Sequence, residues 1–344
     1  MVTPRLVLFL VLLAACEGRT PIPGTADAAP ELTAPDAAPA GPLFGPETTW
    51  KECLVLGDVE SAFSLAVSPD GHFLAAGSSR ATIWNLRSDK SIRTIGSDGG
   101  LQYGFSRDGA LLAMTGDGRY VFRVADGQEV FAVTERGPNC LDWSSAGAIS
   151  PDNRQLAIGS CGFLEIHDLD GKRVAHISSH VLAPGVAYSP DGRLLATSGP
   201  ELHSANGDER FWPARVIPAP IPPNASTSLF ESLRDNTVAF SPDGTLLLVS
   251  NTVDMPHTGE PWTASTQLLR VMDGKLVHDF GAALSRHPSF SPDGAWVVAG
   301  EQLVYLATYT YAPLAADLVV SAFLPDGRIA ALGKDHVVRL YCPN

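Results

Sequence analysis

From Trp50 to the C-terminus the chain alternates short apolar runs with polar breaks, and the runs come in pairs. "SLAVS" is followed by "FLAAGS", "VAYS" by "LLATSG", "VAFS" by "LLLVS" and "PSFS" by "WVVAG", each pair flanking a break that reads Ser-Pro-Asp-Gly. Short apolar or alternating runs bounded by turn formers are strands, not helices. In the break, Pro presets its backbone angle, Asp bonds nearby amides and Gly accepts a positive φ, so the break is a tight reversal between antiparallel strands.

The motif stands at 68–71, 189–192, 241–244 and 291–294, and variants "SRDG" at 106–109, "SPDN" at 150–153 and "LPDG" at 324–327 bring the copies to seven. A third run follows most copies ("ATIWNL", "YVFRV", "FLEIHDL", "QLLRVM", "HVVRLY"), and a "DGK" or "DGQ" turn leads to a fourth ("SIRTIG", "EVFAV", "RVAHIS", "KLVHDF"). Each repeat therefore has four strands, A to D, with the motif between B and C and strand A innermost. The motif aspartates, from Asp70 through Asp108, Asp152, Asp191, Asp243 and Asp293 to Asp326, are 38, 44, 39, 52, 50 and 33 residues apart. Those intervals scatter about the roughly 40 to 45 residues of a propeller blade.

The segment "VSPDGHFLAAGSSRATIWNL" at 67–86 carries the best copy of the pattern, which from residue 50 to 344 resembles the WD40-like β-propeller family. The Gly-His dipeptide of that family is missing, and its Trp-Asp ending survives as Trp84-Asn85 and His167-Asp168. The resemblance implies an all-β, seven-bladed β-propeller with four antiparallel strands per blade. It also implies a binding scaffold whose loops meet a partner.

The N-terminus reads "MVTPRLVLFLVLLAAC", one positive charge and an apolar run too short to span a bilayer, as in an export signal. Leu13-Ala14-Ala15-Cys16 resembles the lipobox of bacterial lipoproteins, which implies cleavage after residue 15 and acylation of Cys16. The alternative is an ordinary secretory signal cut elsewhere. Glu17 follows the Cys, which by the family's sorting rule favours the outer membrane, facing periplasm or exterior. Residues 16–49, rich in Pro and Ala and poor in large apolar side chains, are expected to be the lipidated Cys and a tether, with the propeller at 50–344.

If Cys16 is lipidated, Cys53, Cys140, Cys161 and Cys342 remain in an oxidising compartment, enough for two disulfides. Laid on the "RVMDGKLV" turn at 270–277, "RLYC" puts Cys342 where Asp273 sits and "KEC" puts Cys53 where Val277 sits. Propellers close their ring by pairing one terminus into the blade of the other, and a Cys53–Cys342 disulfide would lock that closure. Cys140 and Cys161 fall on one face of one blade as the second pair, or else stay as small buried thiols.

A net charge of −13 excludes an electrostatic grip on nucleic acid. No nucleophile elbow, zinc-protease helix, phosphate loop or dinucleotide fingerprint is present, so no catalytic residue, metal site or cofactor is assigned. His176 and His180 lack a supporting ligand cluster, and "DLDGK" at 168–172 is a hairpin turn without the rest of a calcium loop. Extra residues at 134–147, 199–210 and 251–266 are expected as A-to-B and C-to-D loops on one face of neighbouring blades. They carry Trp143, His203, Asp208, Glu209, Asp254, Met255, His257, Glu260 and Trp262, a mixture of aromatics and charges of the kind that anchors interfaces. The bland reading is that Trp143 and Trp262 only pin long loops to the blades.

The function expected is a membrane-anchored module of a bacterial envelope that binds another envelope protein or an extracellular ligand. The alternative is a propeller enzyme, of glycoside hydrolase or quinone-dependent dehydrogenase type, working in the central channel. A pair of acids would be needed for the former, and the inner A strands offer Glu52, Glu129 and Glu231, far apart in the ring. A further Pro-rich link, 212–226, is expected to cross between blades four and five on the face opposite the loops.

Overall fold

The computed structural model describes residues 44–344 apart from 61–62, 89, 97–99, 117, 134–145, 161–162, 179–184, 200, 208, 213–236, 254–262 and 285–286. Cys16, Cys140 and Cys161 lie outside the described residues. The described chain is all strand and turn, seven antiparallel sheets of four strands.

Blade 1 is built from Ser64–Val67, Phe73–Gly77, Arg80–Asn85 and Lys90–Gly96, and blade 2 from Gly100–Phe105, Leu111–Gly116, Arg119–Arg123 and Glu129–Val133. Blade 3 holds Ala146–Ile149, Gln155–Ser160, Phe163–Asp168 and Arg173–Ser178; blade 4 holds Val186–Tyr188, Leu194–Thr197, Glu201–Ser204 and Arg210–Trp212. Blade 5 comprises Thr237–Phe240, Leu246–Val253, Thr263–Arg270 and Leu276–Gly281, and blade 6 Ser289–Phe290, Trp296–Ala299, Gln302–Tyr305 and Thr310–Pro313. Blade 7 joins Leu318–Phe323, Ile329–Gly333 and Val337–Pro343 from the C-terminus to Trp50–Asp58 from the N-terminus.

The seven blades, four strands each, are as expected, but the phase of the repeat is not. The strand ahead of each SPDG turn is the first and innermost of its blade, and first strands of neighbouring blades line the axis. The strand labelled A in the sequence is instead the outermost strand of the preceding blade. An up-and-down repeat reads the same wherever it is cut, so periodicity cannot fix where a blade begins. The connections can: strands three and four are joined by tight turns, whereas 134–145 and 213–236 pass from one blade to the next. The same shift moves Glu52 and Glu129 from the channel to the outer rim, and Glu231 lies outside the described residues.

The buried apolar residues fall into seven clusters, one at each seam between adjacent blades. Between blades 1 and 2, for example, Ala75, Ile83 and Ile95 meet Leu112, Met114 and Phe122. The two middle strands of a blade are covered on both faces, which is why they read as continuous apolar runs such as "FLAAG" and "LLLV" instead of alternating.

The SPDG turn is a hydrogen-bonded unit. The Ser hydroxyl donates to the Asp two residues on, at 2.5 Å in Ser68–Asp70, Ser189–Asp191, Ser241–Asp243 and Ser291–Asp293. The same oxygen accepts the amide five residues on, as from Phe73 at 2.8 Å and Trp296 at 2.9 Å. The Asp in turn accepts the amide two residues beyond it, for instance His72 and Arg193, each at 3.0 Å. Gly closes the turn with φ near 70°, between 70° and 73° in Gly71, Gly109, Gly192, Gly244 and Gly294; in the "SPDN" copy Asn153 takes the same conformation at 61°. In "LPDG" the Ser is replaced by Leu324, which is buried instead.

Ring closure follows the expectation. Trp50–Asp58 pairs antiparallel with Val337–Pro343, with Lys51 opposite Cys342, and a disulfide joins Cys53 to Cys342 with Cα atoms 5.7 Å apart. The described residues begin at Phe44, which packs onto the ring. The Phe44 amide donates to Asp293 Oδ2 at 3.2 Å, Trp296 Nε1 donates to the Phe44 carbonyl at 3.2 Å, and Trp50 Nε1 donates to the Gly327 carbonyl at 2.9 Å. Phe44 thus straddles the seam between the SPDG turn of blade 6 and the LPDG turn of blade 7.

Candidate functional site

The antiparallel order gives the propeller two unlike faces. Turns between strands one and two, which are the SPDG turns, and between strands three and four open on one; turns between strands two and three and the passages between blades open on the other. The first is called the turn face and the second the loop face. Phe44 enters on the turn face, beside Asp293 and Gly327.

The structure describes only part of the expected patch. Trp143 lies in the passage between blades 2 and 3, and Asp254, Met255, His257, Glu260 and Trp262 in the segment between strands two and three of blade 5; all six are outside the described residues, but both segments leave from the loop face. His203 and Glu209 do not belong with them. Residues 199–210 are no inserted loop: they contain the whole third strand of blade 4, on which His203 is buried, and Glu209 sits in the turn from that strand to the fourth, on the turn face, with Asp208 beside it outside the described residues. The link that starts at Trp212 also runs from strand four of blade 4 to strand one of blade 5, so its ends are on the loop face and not the opposite one.

The hydrophobic pattern failed in blade 4 because buried positions there hold paired polar groups. Glu201 is fully buried, 2.6 Å from Arg210 Nη2 and 3.7 Å from His203 Nε2. The equivalent strand of blade 3 repeats the arrangement: Glu165 receives Arg173 Nη1 at 3.0 Å, His176 Nδ1 at 2.9 Å and His167 Nε2 at 3.3 Å. His167 and His203 occupy the place held by Trp84 in blade 1, each paired with the second-strand leucine opposite it. These donors, the His167 hydrogen bond foremost, pull the Glu165 carboxyl down to about 2 against the burial that pushes it up. Each carboxylate ties the third strand to the fourth. His180 lies outside the described residues, and among those described no grouping of His, Cys, Asp and Glu is fit to hold a metal ion. "DLDG" closes as a hairpin turn, with the Gly171 amide donating to the Asp168 carbonyl at 2.9 Å.

Two cavities lie on the axis among the described residues. A small one toward the loop face, about 150 Å³, is lined by Gln102, Tyr103, Thr237 and His287 among others. A larger one, about 590 Å³, opens among the SPDG turns and is walled by Tyr103, Phe105, Tyr188 and Phe240, with Pro69, Pro151, Pro190 and Arg107 at its rim. The described lining of the larger cavity includes no Asp or Glu. Nothing in the sequence reading singled out these residues. A signal was present in "SRDG", where an Arg stands in the place that the other six copies give to Pro.

No family model matches the chain, and no curated protein matches it. Among solved structures it is similar to the β-propeller domain of Cps50 (Swd1) from Myceliophteria thermophila, with a TM-score of 0.63 and 16% identity over 85% of this chain and 99% of that one. At that identity the likeness is one of fold: the chain is a seven-bladed β-propeller.

Proposed function

We propose that this chain is a lipid-tethered, non-catalytic binding module of a bacterial cell envelope, which docks another envelope protein or an extracellular ligand through its loop face. In this reading the signal at 1–15 is removed, Cys16 carries the acyl chains, and the Pro/Ala-rich stretch holds the propeller off the outer membrane.

The observation that supports it is a division of labour between the faces. The chain enters the ring on the turn face at Phe44, while the long segments 134–145, 213–236 and 254–262 all leave from the loop face. Attachment on the turn face leaves the loop face clear of the attachment point. Long segments on a rigid scaffold are the usual place for recognition, and Trp143 and Trp262 are the anchors this reading selects.

Metabolic labelling with an alkyne fatty acid tests the anchor: the wild type takes label and fractionates with membranes, and Cys16→Ala does neither. An unlabelled wild type contradicts it. Affinity capture of the mature protein from its native envelope tests docking, since a stoichiometric partner should be lost in a Trp143→Ala, Trp262→Ala variant.

A further inference from the structure

We propose that the cavity at the turn-face mouth of the channel binds a small, flat aromatic carboxylate, with Arg107 holding the anion and the aromatic wall holding the ring. The proposal concerns the face opposite the docking surface and stands independently of it.

The first indication is the break in the repeat. Pro69, Pro151, Pro190, Pro242, Pro292 and Pro325 fill the second position of six turns, and Arg107 fills it in the seventh. Pro there lowers the entropy of the unfolded chain, an advantage of about 0.4–1 kcal/mol that Arg forgoes. The turn of blade 2 is otherwise the same, with Ser106 Oγ donating to Asp108 at 2.7 Å and Gly109 at φ 70°. What the exchange adds is a guanidinium at the rim of the cavity. Its Nη1 donates to the Pro190 carbonyl at 3.3 Å, so the side chain reaches from blade 2 to blade 4 across the mouth.

The second indication is the aromatic wall behind Arg107: Tyr188 lines the same cavity, with its hydroxyl enclosed away from the open space.

The rest of the lining decides the ligand class. Tyr103, Phe105, Ile149 and Phe240 make an apolar wall suited to a ring. The turn carboxylates do not compete for Arg107: Asp108 is held by Ser106 and the Ala110 amide, Asp152 by Ser150 and the Arg154 amide. One cation over an aromatic wall fits one carboxylate on a flat apolar body, and about 590 Å³ lies within the roughly 300–1,000 Å³ of small-molecule sites.

The test is calorimetric titration of the mature protein with 2-naphthoate and with its neutral isostere 2-naphthamide. Expected are saturable one-to-one binding of the acid and an affinity at least about tenfold lower for the amide. Arg107→Pro, which restores the residue of the six sister turns, should lower the affinity for 2-naphthoate by about tenfold or more while thermal stability is kept or slightly raised. Arg107→Gln serves as a second charge-removing variant, with the same loss expected. Absence of saturable binding at millimolar 2-naphthoate, equal binding of the amide, or undiminished binding by the Arg107 variants each overturns the proposal.

Discussion

Cys53 and Cys342 stand 289 residues apart in the chain and are bonded to one another, on adjacent strands of blade 7. The bond spans the point where a circular sheet arrangement is joined from its two ends. In the chain-entropy model a loop of that length removes about 6 kcal/mol of unfolded-state freedom, with measured disulfides typically contributing about 2–4. Reduction, or Cys53→Ser with Cys342→Ser, should therefore lower the free energy of unfolding by a few kcal/mol, read as a drop in the denaturant midpoint. Non-reducing peptide mapping that finds both as free thiols contradicts the closure.

The SPDG turns should behave as interchangeable units. Ser291 is fully buried and bonds both Asp293 and the Trp296 amide, so Ser291→Ala should cost about 1–3 kcal/mol. Gly192→Ala places a side chain at φ 73°, for a loss of about 1–2 kcal/mol, whereas Asn153→Gly should gain a few tenths. Urea unfolding of the three variants orders them.

Phe44 should act as a latch on the closing seam. Its ring meets Trp50 with centroids 5.8 Å apart, and Trp50 meets Trp296 at 5.3 Å. Phe44→Ala is expected to cost about 1–3 kcal/mol, less than for a fully enclosed ring, and to change the fluorescence of the two tryptophans. A Cβ on Gly327 would run into the Phe44 ring, so Gly327→Ala should also destabilise; in the Phe44→Ala background the added penalty should shrink to that of the positive φ alone. Full additivity of the two changes would show that Phe44 does not sit there.

Acid should reveal the Glu165 cluster. A carboxyl whose folded pKa lies below its unfolded value lends stability above the unfolded value and loses it as pH falls toward the folded one. For Glu165 that window runs from about 4.5 down to about 2. Glu165→Gln should flatten the fall in melting temperature across that window. The fall should not vanish, because the Asp152 carboxyl is held low by the Ser150 hydrogen bond against burial. Asp108 and Asp243 end below the usual range too, burial being outweighed by their Ser and amide donors. An unchanged acid limb in the variant contradicts the pairing with His167, His176 and Arg173.

The blades were legible because a rigid turn chemistry repeats at each one: Ser, Asp and Gly bond only locally, so their pattern survives in the sequence whatever packs around them. The Cys53–Cys342 bond was legible for a similar reason, since both residues could be laid on a turn seen elsewhere in the chain. What was not legible depended on distant partners. His203 reads as a polar loop residue until Glu201 and Arg210 are seen to pair beneath it. The inner or outer rank of a strand is likewise a property of the ring and not of any one run. Arg107 could have been noticed as a departure from the other turns, although only the cavity behind it gives the departure a meaning.

The central claim is that the loop face meets the partner while the turn face carries the tether. Site-specific photo-crosslinking in the native envelope tests it most directly, with a benzophenone amino acid placed in turn at Trp143 and Trp262, and at Arg193 and Lys275 on the turn face. The account predicts one discrete adduct from Trp143 and Trp262 and none from Arg193 and Lys275. The same adduct from Arg193 or Lys275, with none from the loop-face positions, would contradict it.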